Sequence, residues 1–203
     1  MNGSVFLSKY NDLQLTLLSC PQYGAGLPCA VVANAGNADM KGVELEVIAH
    51  PGDGWTIDAS ASTLNFKYTY LDPAAGGPGR PTGPQYGMRP AYVPKLKGSI
   101  GIQYEFDLAS GASITPRLDA SYQGEMYASG SNAETNRIGS YALANARLTW
   151  RSAMKDWEAS AEITNLDNKY YFLTRFDQYT TTGVTDGQPG RPREFALTVK
   201  RKF

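Results

Sequence analysis

Histidine is nearly missing from this 203-residue sequence, in which His50 stands alone. A Ser-His-Asp or metal-dependent hydrolase needs its imidazole in a cleft beside partners. His50 instead opens the turn-rich stretch His50-Pro51-Gly52-Asp53-Gly54, where a solvated surface position is expected. An excess of charge is missing too: 19 Lys and Arg balance 19 Asp and Glu, a net charge of +0. That leaves no basic footprint for a nucleic-acid partner. No apolar run approaches the roughly 20 residues of a spanning helix. No glycine-rich phosphate loop follows a strand-like segment, so no cofactor is expected and the chain does not read as an enzyme. Nothing after Met1 resembles the basic segment and apolar core of a secretory leader, and the expectation is a piece of a longer protein.

Cysteine is scarce but placed. Cys20 and Cys29 flank a Pro- and Gly-bearing loop, a pattern that suggests a disulfide formed in an oxidising compartment. Closing so short a loop stabilises by about 2–3 kcal/mol on the chain-entropy model.

Period-two alternation is abundant. It is sustained over eight segments, near residues 4–18, 40–49, 55–70, 93–106, 113–127, 141–151, 157–172 and 194–203. Successive side chains of a strand point to opposite faces, so each segment has one apolar and one wet face. In 113–127, Ile114, Leu118, Ala120, Tyr122 and Met126 oppose Arg117, Asp119, Ser121, Gln123 and Glu125. The last segment sets Phe195, Leu197, Val199 and Phe203 against Glu194, Thr198, Lys200 and Lys202. In 55–70 the apolar phase changes at Leu64, Phe66, Tyr68 and Tyr70, through a bulge or an aromatic patch on the wet face. A helical period fits none of these segments.

The connections alternate in length. Residues 19–39, 71–92, 128–140 and 173–192 are long; 50–54, 107–112 and 152–156 are short. Trp55, Phe106, Trp150, Trp157 and Phe203 all fall beside a short turn or the terminus. Outer-membrane barrels carry these signatures: tight periplasmic turns, longer extracellular loops and an aromatic girdle. The 42% hydrophobic share is no objection, because only every second barrel residue meets lipid. The expected class is therefore all-β, an antiparallel transmembrane β-barrel segment of about eight meander strands in outer-membrane lipid.

Charged residues fall on the wet phase. A charge facing lipid near the midplane costs about 2–4 kcal/mol, while a lumen charge costs little. Lys97, Arg117, Asp119, Gln123, Glu125, Arg147, Glu158 and Glu162 are therefore expected on a lumen wall, paired across neighbouring strands. Among the long loops, Arg80, Tyr86, Arg89, Arg175 and Tyr179 are candidates to touch a ligand.

Several segments resemble the C-terminal part of a TonB-dependent outer-membrane receptor. Lys41-Gly42-Val43-Glu44-Leu45-Glu46 and Pro90-Ala91-Tyr92-Val93-Pro94-Lys95 are similar to the family's strand openings. The strongest match is Asn165-Leu166-Asp167-Asn168-Lys169-Tyr170, which resembles an NLxDxxY segment in the penultimate strand. Pro192 and Arg193 resemble the lead into the last strand. The resemblance implies the last eight strands of a 22-stranded barrel in a Gram-negative outer membrane. It also implies import of a scarce bulky nutrient such as an iron chelate, vitamin or oligosaccharide, of unknown identity. A plug and a TonB-contacting segment would lie outside this sequence. The terminal strand would be read by the barrel-assembly machinery through Phe195, Leu197, Val199 and Phe203. The rival reading is a complete eight-stranded outer-membrane barrel acting as an adhesin or structural anchor.

Overall fold

A computed structural model describes residues 1–17, 31–76, 83–178 and 182–202. Its strands are β1 (Asn2–Leu17), β2 (Val31–Ala49), β3 (Trp55–Leu71), β4 (Leu96–Tyr104), β5 (Phe106–Asp107), β6 (Ser113–Gln123) and β7 (Met126–Tyr127). They continue with β8 (Arg137–Ile138), β9 (Tyr141–Arg151), β10 (Trp157–Thr164), β11 (Phe172–Gln178), β12 (Val184–Pro189) and β13 (Glu194–Arg201). A 3-10 turn, Glu134–Asn136, precedes β8. No helix among the described residues is long and apolar enough to cross a membrane.

One antiparallel sheet dominates, in the order β1-β2-β3-β4-β6-β9-β10-β13, with β5 added beside β6. Among the described residues β1 and β13 each have one partner, so the sheet is an open arc with two free edges. A closed eight-stranded barrel would need these two to pair.

Register decides what each face carries, because directly paired residues share a face. Ala49, Ile57, Ile102, Leu118, Ala146, Ile163 and Phe195 form one unbroken row across seven strands. The row Pro116, Leu148, Ala161 and Leu197 lies alongside it. Among the described residues nothing covers this face: Leu197 is 86% exposed, Val5 82% and Phe195 73%. A soluble sandwich would bury these side chains against a second layer. An uncovered apolar face this wide is what lipid requires. Trp55, Phe106, Trp150 and Trp157 stand exposed where this face meets the short turns, and Trp55 and Phe106 both pack edge-on against Tyr104.

The phase change in β3 combines a wet-face patch with a bulge. Phe66 and Tyr68 lie on the polar face, where Ala38, Tyr68 and Leu71 form a buried cluster backed by Leu13 and Leu15. Thr69 is the extra residue: Ala38 pairs with Tyr68, but Asn37 pairs with Tyr70. The bulge turns Tyr70 outward and Leu71 inward. A second irregularity in β1 leaves Asp12 at φ 58, its N–H donated to Asn37 Oδ1 at 3.0 Å.

Several expected boundaries change. β2 starts at Val31 because the small residues Ala35, Gly36 and Ala38 pack as strand, where 19–39 had read as loop. The segment 93–106 is broken between β4 and β5, opposite Pro116, which has no N–H for the ladder. Glu105 donates its N–H to Gly54 O instead, at 2.9 Å. The segment 157–172 stops at Thr164 because Asn165 adopts φ 52. The loop 173–192 is largely the β11–β12 hairpin.

Candidate functional site

The polar face is organised around three ionic clusters. Near the middle, the Arg117 guanidinium reaches Asp119 at 2.6 Å and Asp58 at 2.8 Å, and donates to Gln103 Oε1 at 3.3 Å. Asp58 lies on β3 and Arg117 on β6, so the side chain must cross β4. It does so over Gly101, where a Cβ would stand 2.1 Å from Arg117 Nη2. Gly101 is the missing side chain that lets three strands share one cation.

At the short-turn end, Glu158 accepts Arg151 at 3.0 Å and Lys200 at 3.5 Å, with Arg147 at 3.8 Å. Arg147 and Glu162 are register partners across β9 and β10. The Ser152 hydroxyl holds the Asp156 carboxyl in the adjoining turn below the ordinary carboxylate range. These partnerships give Glu158 and Asp156 structural roles, while among the described residues Glu162 forms no ion pair. His50 is exposed in its turn, with Nδ1 3.2 Å from Trp55 O and Thr56 Oγ1.

Between these charges and the loops lies a groove of about 610 Å³. Glu44, Glu46, Lys97, Gln123 and Tyr141 line it, over a floor of Ser60, Ser62, Ser99 and Ser121. Leu143, Tyr171 and Leu173 also line it, so the surface offers hydrogen-bonding groups and apolar contact together.

The third cluster ties the long loops together. Glu125 lies beyond the end of β6, where Arg89 reaches it at 2.9 Å and Arg137 at 2.8 Å. Partial burial pushes the Glu125 carboxyl up, but the two guanidiniums more than offset this and hold it below the ordinary range. Arg89 also lies over the Tyr127 ring at 5.2 Å, and exchanges backbone hydrogen bonds with the Asn132 side chain. Arg175 lies over Phe172 at 4.9 Å. Tyr92 with Thr174, and Thr135 with Asp177, bind the hairpin to the neighbouring loops. Tyr86 accepts the Leu71 N–H at 3.2 Å. Arg89, Arg175 and Tyr86 therefore shape the loops with groups that a ligand would also use. Arg80, Tyr179, Cys20, Cys29 and Phe203 lie outside the described residues.

The segment 165–171 is a latch. Asn165 is 4% exposed. Its Oδ1 accepts the Lys169 N–H at 2.7 Å, and Nδ2 donates to Lys169 O at 2.9 Å and Arg191 O at 3.1 Å. Its own N–H goes to Asn145 Oδ1 at 2.9 Å. Leu166 donates its N–H to Ala144 O at 2.8 Å, and Arg193 donates to Leu166 O at 3.3 Å. Asn168 accepts the Arg193 N–H at 3.0 Å. Asp167 and Tyr170 are exposed on the same turn, and Pro192 is exposed beside Arg193. Tyr171 lies where a Cβ on Gly190 would have to be, 2.0 Å from its ring. The latch carries the chain off the sheet after β10, and its contacts with Arg191 and Arg193 aim β13 back along β10.

Hydrogen-bonded wall, apolar outside, polar inside, short turns at one end and knotted loops at the other: this is the wall of an outer-membrane β-barrel. The comparisons with known proteins narrow the class. Residues 1–166 match the family model for the TonB dependent receptor-like β-barrel, and the chain belongs to that family, which comprises receptors and transporters of the Gram-negative outer membrane. The pesticin receptors of Yersinia enterocolitica and Yersinia pestis are 26% identical over 171 residues, 84% of this chain and 22% of theirs. The ferric yersiniabactin uptake receptor FyuA from Yersinia pestis superposes with a TM-score of 0.75 at 22% identity, covering 99% of this chain and 27% of that one. The FrpB iron transporter from Neisseria meningitidis does so at 0.68 and 17%, covering 99% and 28%. These likenesses between structures establish the fold alone. The chain spans about a quarter of the length of these relatives.

Proposed function

We propose that this chain is the C-terminal wall of the barrel of a TonB-dependent importer of a ferric chelate. The observation that carries the reading is the open eight-strand arc with an uncovered apolar face and a groove on the opposite face under tied loops. Two free edges in lipid leave backbone groups unpaired, which further strands of the same barrel would satisfy. The relatives' names speak of ferric yersiniabactin and iron, and iron held in a transportable form is the element they share. A plug and the segment contacting the TonB complex would be supplied by the rest of the protein. Phe195, Leu197 and Val199, exposed on edge strand β13, with the terminal Phe203, would present the assembly signal.

The test is uptake of radioactive iron by cells expressing the full-length parent as their sole outer-membrane iron receptor. Chelates of several classes would be supplied with and without an active TonB system. The reading expects energy-dependent uptake of at least one ferric chelate. Equal uptake without TonB, or binding without import for every chelate, would refute it.

A further inference from the structure

Rows of the apolar face end differently in different sectors. On β4, β6 and β9 its loop-side end carries Leu96, Tyr122 and Ala142. On β1–β3 it carries lysines. Lys9 pairs with Asp39 and Asp39 with Lys67, forming one row; Lys41 stands in the next row, between Leu7 and Asn65. These positions continue the outward phase of Val5, Leu7, Val43 and Leu45, so the lysines face the lipid side, away from the groove. All three are exposed, and among the described residues Asp39 forms no ion pair with any of them. The patch carries three positive charges and one negative.

Its height above the membrane can be estimated. Lys67 follows Trp55, the girdle residue of β3, by twelve positions. At about 3.4 Å per residue and a tilt of about 40°, Lys67 stands about 31 Å above that girdle. Lys41, level with Asn65, stands about 26 Å above it by the same arithmetic. The apolar band of such a barrel is about 25 Å tall. The lysines therefore emerge just above the outer hydrocarbon boundary, their stems on apolar surface and their ammonium groups at headgroup level.

We propose that Lys9, Lys41 and Lys67 form a binding site for the phosphate groups of outer-leaflet glycolipid. Three donors within two inter-strand spacings suit a multiply charged, fixed headgroup, and the apolar rows beneath suit its acyl chains. Asp39 sits between Lys9 and Lys67 in the same row. The site is independent of which nutrient the receptor carries.

The test uses the full-length receptor, delipidated in detergent and titrated with fluorescent diphosphoryl lipid A. Each lysine near an anionic headgroup is worth about fivefold in affinity, so the Lys9→Gln, Lys41→Gln, Lys67→Gln variant should bind about a hundredfold more weakly. A control carrying Lys155→Gln, Lys169→Gln and Lys202→Gln should bind as the wild type does. Dephosphorylated lipid A should bind the wild type as weakly as diphosphoryl lipid A binds the triple variant. Replacing the three lysines by arginine should keep the affinity, and this variant decides the matter should the glutamine variant fail to fold. The proposal is overturned if the glutamine variant retains affinity within threefold, or if the wild type does not discriminate between the two lipids. It is equally overturned if inorganic phosphate at millimolar concentration displaces the lipid, since the site would then be one for free phosphate.

Discussion

Asn165 lends itself to a quantitative test, because one buried side chain there closes the latch on three backbone groups. The amide can face only one way: Oδ1 meets an N–H and Nδ2 meets two carbonyls. Its φ of 52 is tolerated by Asn or Gly, and costs other residues about 1–2 kcal/mol. Asn165→Gly removes three hydrogen bonds at about 1 kcal/mol each and leaves the backbone relaxed, for a loss of about 3 kcal/mol. Asn165→Ala adds the backbone strain and should lose about 4–5 kcal/mol. Asn165→Asp keeps the shape but turns an acceptor toward Lys169 O and Arg191 O, and should be the most damaging of the three. The assay is urea unfolding of the full-length receptor in lipid vesicles, followed by tryptophan fluorescence. Trp150 and Trp157, on the strands that the latch joins, supply part of the signal. Ala and Asp variants within 1 kcal/mol of wild type would refute the latch. A Gly variant close to wild type beside a damaged Ala variant would show that backbone conformation, and not the amide's bonds, sets the effect.

Gly101→Ala should displace the Arg117 guanidinium from Asp58 and Asp119, destabilising by about 1.5–3 kcal/mol in the same unfolding assay. Arg117→Gln should make the glycine substitution nearly silent, because the clash would have lost its partner. The loop cluster should depend on acidity. Glu125 has a folded-state pKa below its unfolded value, so its contribution is present above the ordinary glutamate pKa of about 4.3 and is lost as pH falls through the lower, folded value. Limited proteolysis should therefore cut 124–140 faster in strong acid than at neutral pH, using an acid-active protease in both arms at equal activity. Glu125→Gln should cut fast at both pH values; a variant retaining the wild-type contrast would assign the effect to another group.

The spanning strands were legible because a wall with lipid on one side must alternate. Rows such as Leu118, Ala120 and Tyr122 against Asp119, Ser121 and Gln123 expose that constraint in the sequence itself. Segments outside the bilayer obey no such rule. β11 and β12 mix Thr, Arg, Asp and Gly on both faces, so the hairpin read as loop. The start of β2 was hidden because Ala35, Gly36 and Ala38 are strand residues chosen for smallness under Tyr68 and Leu71, not for β-propensity. The Arg117 bridge depended on an omission: Gly101 interrupts the polar phase of Lys97, Ser99 and Gln103, and that gap was the available signal. For Arg89, the sequence displayed an exposed-looking cation in a loop but not Glu125, 36 positions away.

Everything above requires one face of this arc to meet lipid and the other an aqueous lumen. Spin labels placed singly at residues 118 to 123 of β6 in the full-length receptor, reconstituted in vesicles, test it most directly. Accessibility to oxygen should peak at 118, 120 and 122, and accessibility to a water-soluble nickel chelate at 119, 121 and 123. A flat profile, or the same alternation in the opposite phase, would contradict it.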